Sequence, residues 1–260
     1  MVNLSKQEKL KIFYDTMEDY MIDNGYAKAY ECFYKVENDL LKYIQLEVTD
    51  RFAFCGFSIY PLFMKTMGPY KSAGTSIEGF KYNTKSKGWF QFDASAERMK
   101  QDCAEMLAVI KEKKILEYMS SIRDVDGLIK IHEELDKNYR KTRKSPSEDG
   151  GSEILAYAYM YKRNKKKTIE HFERCIRYFY TPMIYPDHIL NDVKRLKPQL
   201  YQEMLESQKK PRPLDETSKM WLALYQGYVD RLKKDDFSQV GEIINESREL
   251  QAKALKVKTL

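Results

Sequence analysis

Few residues in this chain are placed to do chemistry. His171 and Cys175 stand four apart, a spacing that puts two side chains on one face of a helix, where both could ligate one metal. A zinc site needs three or four ligands, and Glu170 and Glu173 fall on other faces of the same helix, so Cys175 reads as a small buried residue. Asp187-His188 sets an acid beside an imidazole, but neighbours on a helix diverge, and Asp187 suits a helix start, where its charge complements the dipole. His132, next to Glu133 and Glu134, reads as a surface residue. The segment Gly68 to Thr75 comes nearest to a phosphate loop and lacks the Gly-Lys-Ser/Thr ending. With three His in all and no Gly-x-Ser-x-Gly element, the sequence assigns no catalytic residue, no metal and no cofactor.

Charge offers a second kind of chemistry. Between Lys137 and Lys167 ten Lys/Arg face three acids, a local net of +7 that leaves about −1 for the remainder of a +6 chain. The candidate anion or nucleic-acid contacts are Arg140, Lys141, Arg143 and Lys144, then Lys162, Arg163, Lys165, Lys166 and Lys167. Tyr157, Tyr159 and Tyr161 just precede the second group, and bases stack on aromatics beside cations. The simpler reading makes the run a solvated turn between helices and the tyrosines helix core.

Periodicity sets the elements that carry these residues. Residues 5–24 form an amphipathic helix: Ser5 and Glu8 make a capping box, Leu10, Phe13, Met17, Tyr20 and Met21 one apolar stripe, and Asn24-Gly25 the stop. The rhythm then changes to two. Ala29 to Val36 reads as a strand, Glu37-Asn38-Asp39 as a tight turn, and Ile44, Leu46 and Val48 alternate with polar residues as in a strand with one wet face. Phe52 to Phe63, apolar on both faces up to Pro61, suits a central strand. Met67 to Gly79 reads as a loop, and Phe80 to Tyr82 and Trp89 to Phe92 as short strands closing an antiparallel meander.

Asp93 can cap a helix from Ala94 to Met119, and residues 124–139 form another with Val125, Leu128, Ile129, Ile131 and Leu135 inside. An exposed linker spans about 140–151, and helical stretches follow at 152–180, 186–208 and 215–256, the last breaking near Lys234-Asp235-Asp236. Glu153 to Phe172 and Lys219 to Val240 share one pattern, an aromatic helix, a polar turn and a second helix.

Gly25-Tyr26, Phe33-Tyr34-Lys35, Asp39-Leu40-Leu41, Ile44-Gln45-Leu46-Glu47 and Gly88-Trp89-Phe90-Gln91-Phe92-Asp93 together resemble a bacterial domain family of unknown function. The resemblance covers residues 5–120 and implies an architecture of helix, antiparallel sheet, Trp-containing strand and helix; it implies no catalytic residues.

The expected fold is therefore α+β: an N-terminal helix with a small antiparallel sheet over 1–120, followed by a mostly α-helical half over 121–260. A hydrophobic fraction of 43% with 20 Tyr and 12 Phe supports a packed core rather than disorder. No apolar run approaches bilayer length and residues 1–8 lack a signal-peptide core, so no membrane partner is expected. Four scattered cysteines read as reduced buried thiols, which points to the cytoplasm.

The functional expectation is a non-enzymatic protein-interaction module, immunity- or antitoxin-like, with a protein partner of unknown identity. The alternatives are a nucleic-acid-associated protein using the basic 137–167 region and an enzyme of unidentified class. Charge reversal of Lys165, Lys166 and Lys167 separates the first two: salt-sensitive nucleic-acid binding is lost, while binding to a partner that is not acidic is kept.

Overall fold

The computed structural model describes residues 4–48, 53–65, 75–76, 90–92, 96–142, 153–182, 185, 187–211 and 213–260. The fold is α+β: an N-terminal helix, an antiparallel sheet, then mostly helices. Two compact units divide the chain, Met1–Gly127 with Gly241–Leu260, and Leu128–Val240.

The first unit opens with α1 (Lys6–Asp23). Ser5 accepts from the Glu8 amide, and the Glu8 carboxylate accepts from the Ser5 amide, closing the capping box. Leu10, Phe13, Met17 and Met21 are buried, and Gly25 follows with φ +79°, a conformation that costs glycine no Cβ clash.

Four strands then run as an antiparallel meander: β1 (Ala27–Ala29), β2 (Cys32–Glu37), β3 (Leu40–Val48) and β4 (Ala53–Pro61). Asn38 and Asp39 both take left-handed φ, the two-residue hairpin turn whose twist suits antiparallel strands. Two short strands, β5 (Thr75–Ser76) and β6 (Phe90–Phe92), both pair with β4, which makes β4 central. Helix α1 covers one sheet face, with the Phe13 and Phe33 rings 5.6 Å apart and the Tyr14 hydroxyl donating to the Ala29 carbonyl at 2.7 Å.

Two expectations for this sheet are corrected. The strand expected over 29–36 is two strands, because Tyr30-Glu31 turns the chain with Glu31 at φ +61°. No wet face appears over the described side chains of β3: Gln45, on the face expected to be wet, is buried with Leu41 and Tyr43, and Lys42 on the opposite face is 0% exposed. Lys42 reaches Glu37 at 2.6 Å, and burial still holds its ammonium below the usual lysine range. The residues read as Phe80–Tyr82, Trp89 and Asp93, and most of the Met67–Gly79 loop, lie outside the described residues.

Helices complete the unit. The expected helix 94–119 is α2 (Ala96–Glu112) and α3 (Ile115–Ser121), parted where Lys114 adopts φ +52°. Met99, Cys103, Met106 and Ile110 form the buried face of α2. Helix α4 (Val125–Thr142), which from Leu128 on belongs to the second unit, starts at Asp124, whose carboxylate accepts from the Gly127 amide at 3.0 Å. The C-terminal part of α10 (Gln239–Leu255) is tied to the sheet's hairpin ends: Ser247 donates to the Met64 carbonyl at 2.8 Å and Arg248 pairs with Asp39 at 2.6 Å.

In the second unit, α5 (Glu153–Tyr161), α6 (Lys165–Phe179) and α9 (Glu216–Lys233) meet around aromatic rings. Phe172 lies 5.2 Å from Tyr157, 5.4 Å from Tyr225 and 5.5 Å from Tyr228 between ring centroids. Such contacts add to the burial of large apolar areas. The stretch expected over 186–208 is divided into α7 (Asp187–Leu196) and α8 (Pro198–Ser207), because Pro198 cannot sit inside a helix but is well placed at the first position of a new one. The two look-alike segments share their turn geometry as well. Arg163 and Asp235 are left-handed, and Asn164 and Asp236 donate five residues back, to Tyr159 and Arg231.

The Lys42–Glu37 pair carries the fold's first prediction. Glu37→Gln strands a buried ammonium and lowers stability by about 3 kcal/mol in urea melts, whereas Glu37→Gln with Lys42→Met recovers most of that loss. Equal stability of the single variant and the parent would show that Lys42 does not depend on Glu37.

Candidate functional site

The basic run joins α5 to α6, and the structure shows what its charges meet. Asn164 caps α6, its side chain accepting from the Lys167 amide at 3.2 Å. Lys167 Nζ donates to Glu133 at 2.8 Å and to the Tyr159 hydroxyl at 2.7 Å, and Tyr159 donates to Glu133 in turn. The hydrogen bonds to Glu133 and Tyr159 push the Lys167 ammonium well above the ordinary lysine range. Lys165 pairs with Asp235 at 2.9 Å and donates to the Lys233 carbonyl at 3.0 Å, so one look-alike turn neutralises the other. Lys162, Arg163 and Lys166 are exposed. Tyr157 and Tyr159 are buried, and Tyr161 is half-buried. Arg140 and Lys141 fall in α4 with side chains outside the described set, and Arg143 and Lys144 lie outside the described residues.

Lys167 borders a cleft of about 560 Å³ lined by Glu133, Asp136, Lys137, Leu155, Glu170 and His171. Arg174 grips Asp136 with two bonds, at 3.1 and 3.2 Å. Beneath, His171 stacks on Tyr159 with centroids 5.5 Å apart. Most of the lining is charged, with Glu133 matched to Lys167 and Asp136 to Arg174, while small-molecule sites are largely apolar with a few convergent polar groups. The cleft is thus an ion-pair network that fastens α4 to α5 and α6. Glu170, read from sequence as facing away from His171, shares the cleft with it. His171 and Cys175 are both buried, and among the described residues no group of three or more His, Cys, Asp or Glu is placed to hold a metal. Burial lifts the Cys175 thiol to about 12, far from a reactive thiolate at neutral pH.

A different feature, unmarked in the sequence reading, stands out by its exposure. An antiparallel bridge between Pro182 and Pro211 brings together the two ends of the α7–α8 segment. Gln208 accepts from the Tyr185 amide at 3.2 Å just inside it. The enclosed α7 and α8 form a helical hairpin that turns at Lys197. Every residue from Lys194 to Leu200 is exposed, including Leu196 at 68% and Leu200 at 39%, and Ile189 on α7 is 40% exposed. Among the described side chains of the hairpin only Met204 is buried. Helices of ten residues are marginal in water unless tertiary contacts hold them. Pro198, within a stretch otherwise of helical period, was the signal that could have located the hairpin's tip.

No family model matches the chain, and neither a curated protein nor a solved structure is significantly similar to it. Among the described residues, no helix is long and apolar enough to cross a membrane.

His132, expected at the surface, is buried on α4, and burial lowers its imidazole to about 4. The unfolded chain binds this proton near pH 6.5, so stability is complete above that value and falls as pH drops toward 4, by about 3 kcal/mol in total. His132→Leu flattens this part of the pH profile of chemical denaturation between pH 6.5 and 4. Parallel profiles for variant and parent would place the acid sensitivity elsewhere.

Proposed function

We propose that this chain is a non-enzymatic protein-interaction module that engages a partner through the α7–α8 hairpin. One observation carries the reading: Ile189, Leu196 and Leu200 stand exposed on two short helices that bury little of their own. Isolated exposed leucines are ordinary, but several on one pair of short helices make a surface suited to docking. The charged cleft beside Lys167 supports the same reading from the other side, because Glu133 with Lys167 and Asp136 with Arg174 hold helices together. The immunity- or antitoxin-like form of the proposal draws on the resemblance of residues 5–120 to a bacterial domain family, and a cytoplasmic setting accompanies it.

Leu196→Glu tests the reading. The residue is 68% exposed, so the variant keeps the parent's melting temperature within about 2 °C, as surface substitutions do. Affinity purification from the native host, with the chain as bait, then loses its specific partner. An identical set of captured proteins from variant and parent would refute the hairpin as the binding surface.

A further inference from the structure

The tip of the hairpin combines apolar exposure with a distinct charge. Lys194, Arg195 and Lys197 surround Leu196, and all four side chains are exposed. Asp192 is the only acid between residues 192 and 201, which leaves the tip at a net +2. Its distance of 3.6 Å to Arg195 offsets that one cation in part. Lys194 lies 5.6 Å from the centre of the Tyr201 ring, a contact that keeps its ammonium over the junction while leaving the charge uncancelled. Towards the base the sign reverses: Glu203 and Glu206 follow on α8, with Glu206 held by Lys209 at 2.6 Å. An apolar knob ringed by cations thus caps a shaft that carries acids.

We propose that the α7–α8 tip docks an acidic amphipathic segment of a partner protein, its apolar side chains packing on Leu196 and Leu200 and its carboxylates meeting Lys194, Arg195 and Lys197. This rests on the interaction-module reading and names the partner's chemistry. Complementary charge excludes basic partners and speeds encounter, while the apolar contact supplies the lasting part of the affinity. A protein segment fits better than an anionic membrane. A hairpin lying on lipid would press Asp192, Glu203 and Glu206 towards the headgroup phosphates, and only three exposed apolar side chains would enter the bilayer. Nucleic acid leaves Leu196 and Leu200 without an apolar counterpart.

The test uses the full chain and a fluorescent helical peptide built from leucines and glutamates at heptad spacing, read by anisotropy. Two control peptides replace glutamate by lysine, or leucine by serine. The expected result is saturable binding of the acidic peptide alone, weakened at least tenfold by Leu196→Ser and by the pair Lys194→Glu with Lys197→Glu. Circular dichroism and melting temperature of both variants should match the parent. No saturable binding, equal binding to the variants, or preference for the lysine peptide overturns the proposal, as does tighter association with phosphatidylglycerol vesicles that Leu196→Ser does not weaken. A native partner that depends on Leu196 but contacts the tip without acidic residues would sink this inference and leave the interaction module standing. Failure to find any partner that depends on Leu196 would sink both.

Discussion

A helix of ten residues cannot hold itself together in water; its amphipathic face has to be covered by something. That constraint separates the parts of the second unit. Helices α5, α6 and α9 meet it among themselves, with Phe172 at the centre of a cluster of tyrosines, some of which also reach a polar partner. Tyr225, for example, donates to Glu153, a carboxyl that burial pushes above its usual range. Helices α7 and α8 do not meet it: Met204 is buried and the leucines at the turn are not. The hairpin is pinned at its base through Pro182, Tyr185, Gln208 and Pro211 and left uncovered at its tip. A chain that closes the base of an excursion so firmly while exposing its apolar end has a structure suited to docking.

The charged residues follow an opposite logic. The concentration of lysines around 162–167 looks in sequence like a surface reserved for an anion. In the fold, Lys165 is matched by Asp235 and Lys167 by Glu133 and Tyr159, so two of those cations belong to the internal bonding of the helices. The three cations at the hairpin tip are fewer, but they stand beside exposed leucines and face one acid among them. Position relative to apolar surface, rather than the number of charges, distinguishes the proposed docking tip from a solvated turn.

Much of the architecture was legible in the residues. The capping box at Ser5 and Glu8, the Asn38-Asp39 turn, the strand through Ile44 and the break at Lys234-Asp235 each express a local rule, and each element appears as expected, though the strand's described side chains lack the wet face. What escaped depends on tertiary surroundings. Nothing in the identity of Lys114 or Glu31 announces a left-handed residue, since neighbouring packing imposes that conformation. His132 reads as a surface residue, yet it is interior and held uncharged by burial, and Lys42, which no local rule marks, is interior and matched to a carboxylate. The hairpin tip escaped for the same reason in reverse: Leu196 and Leu200 have the spacing of core residues, and their exposure is a property of what does not pack against them.

Hydrogen–deuterium exchange on the intact chain reaches the central claim most directly. A hairpin that lacks a covering surface exchanges its amides over 187–207 within seconds to minutes, while the aromatic-centred helices α5, α6 and α9 retain theirs far longer. Protection of 187–207 equal to that of α6 in the isolated protein would mean that the apolar face is already covered, and would contradict the proposed docking surface.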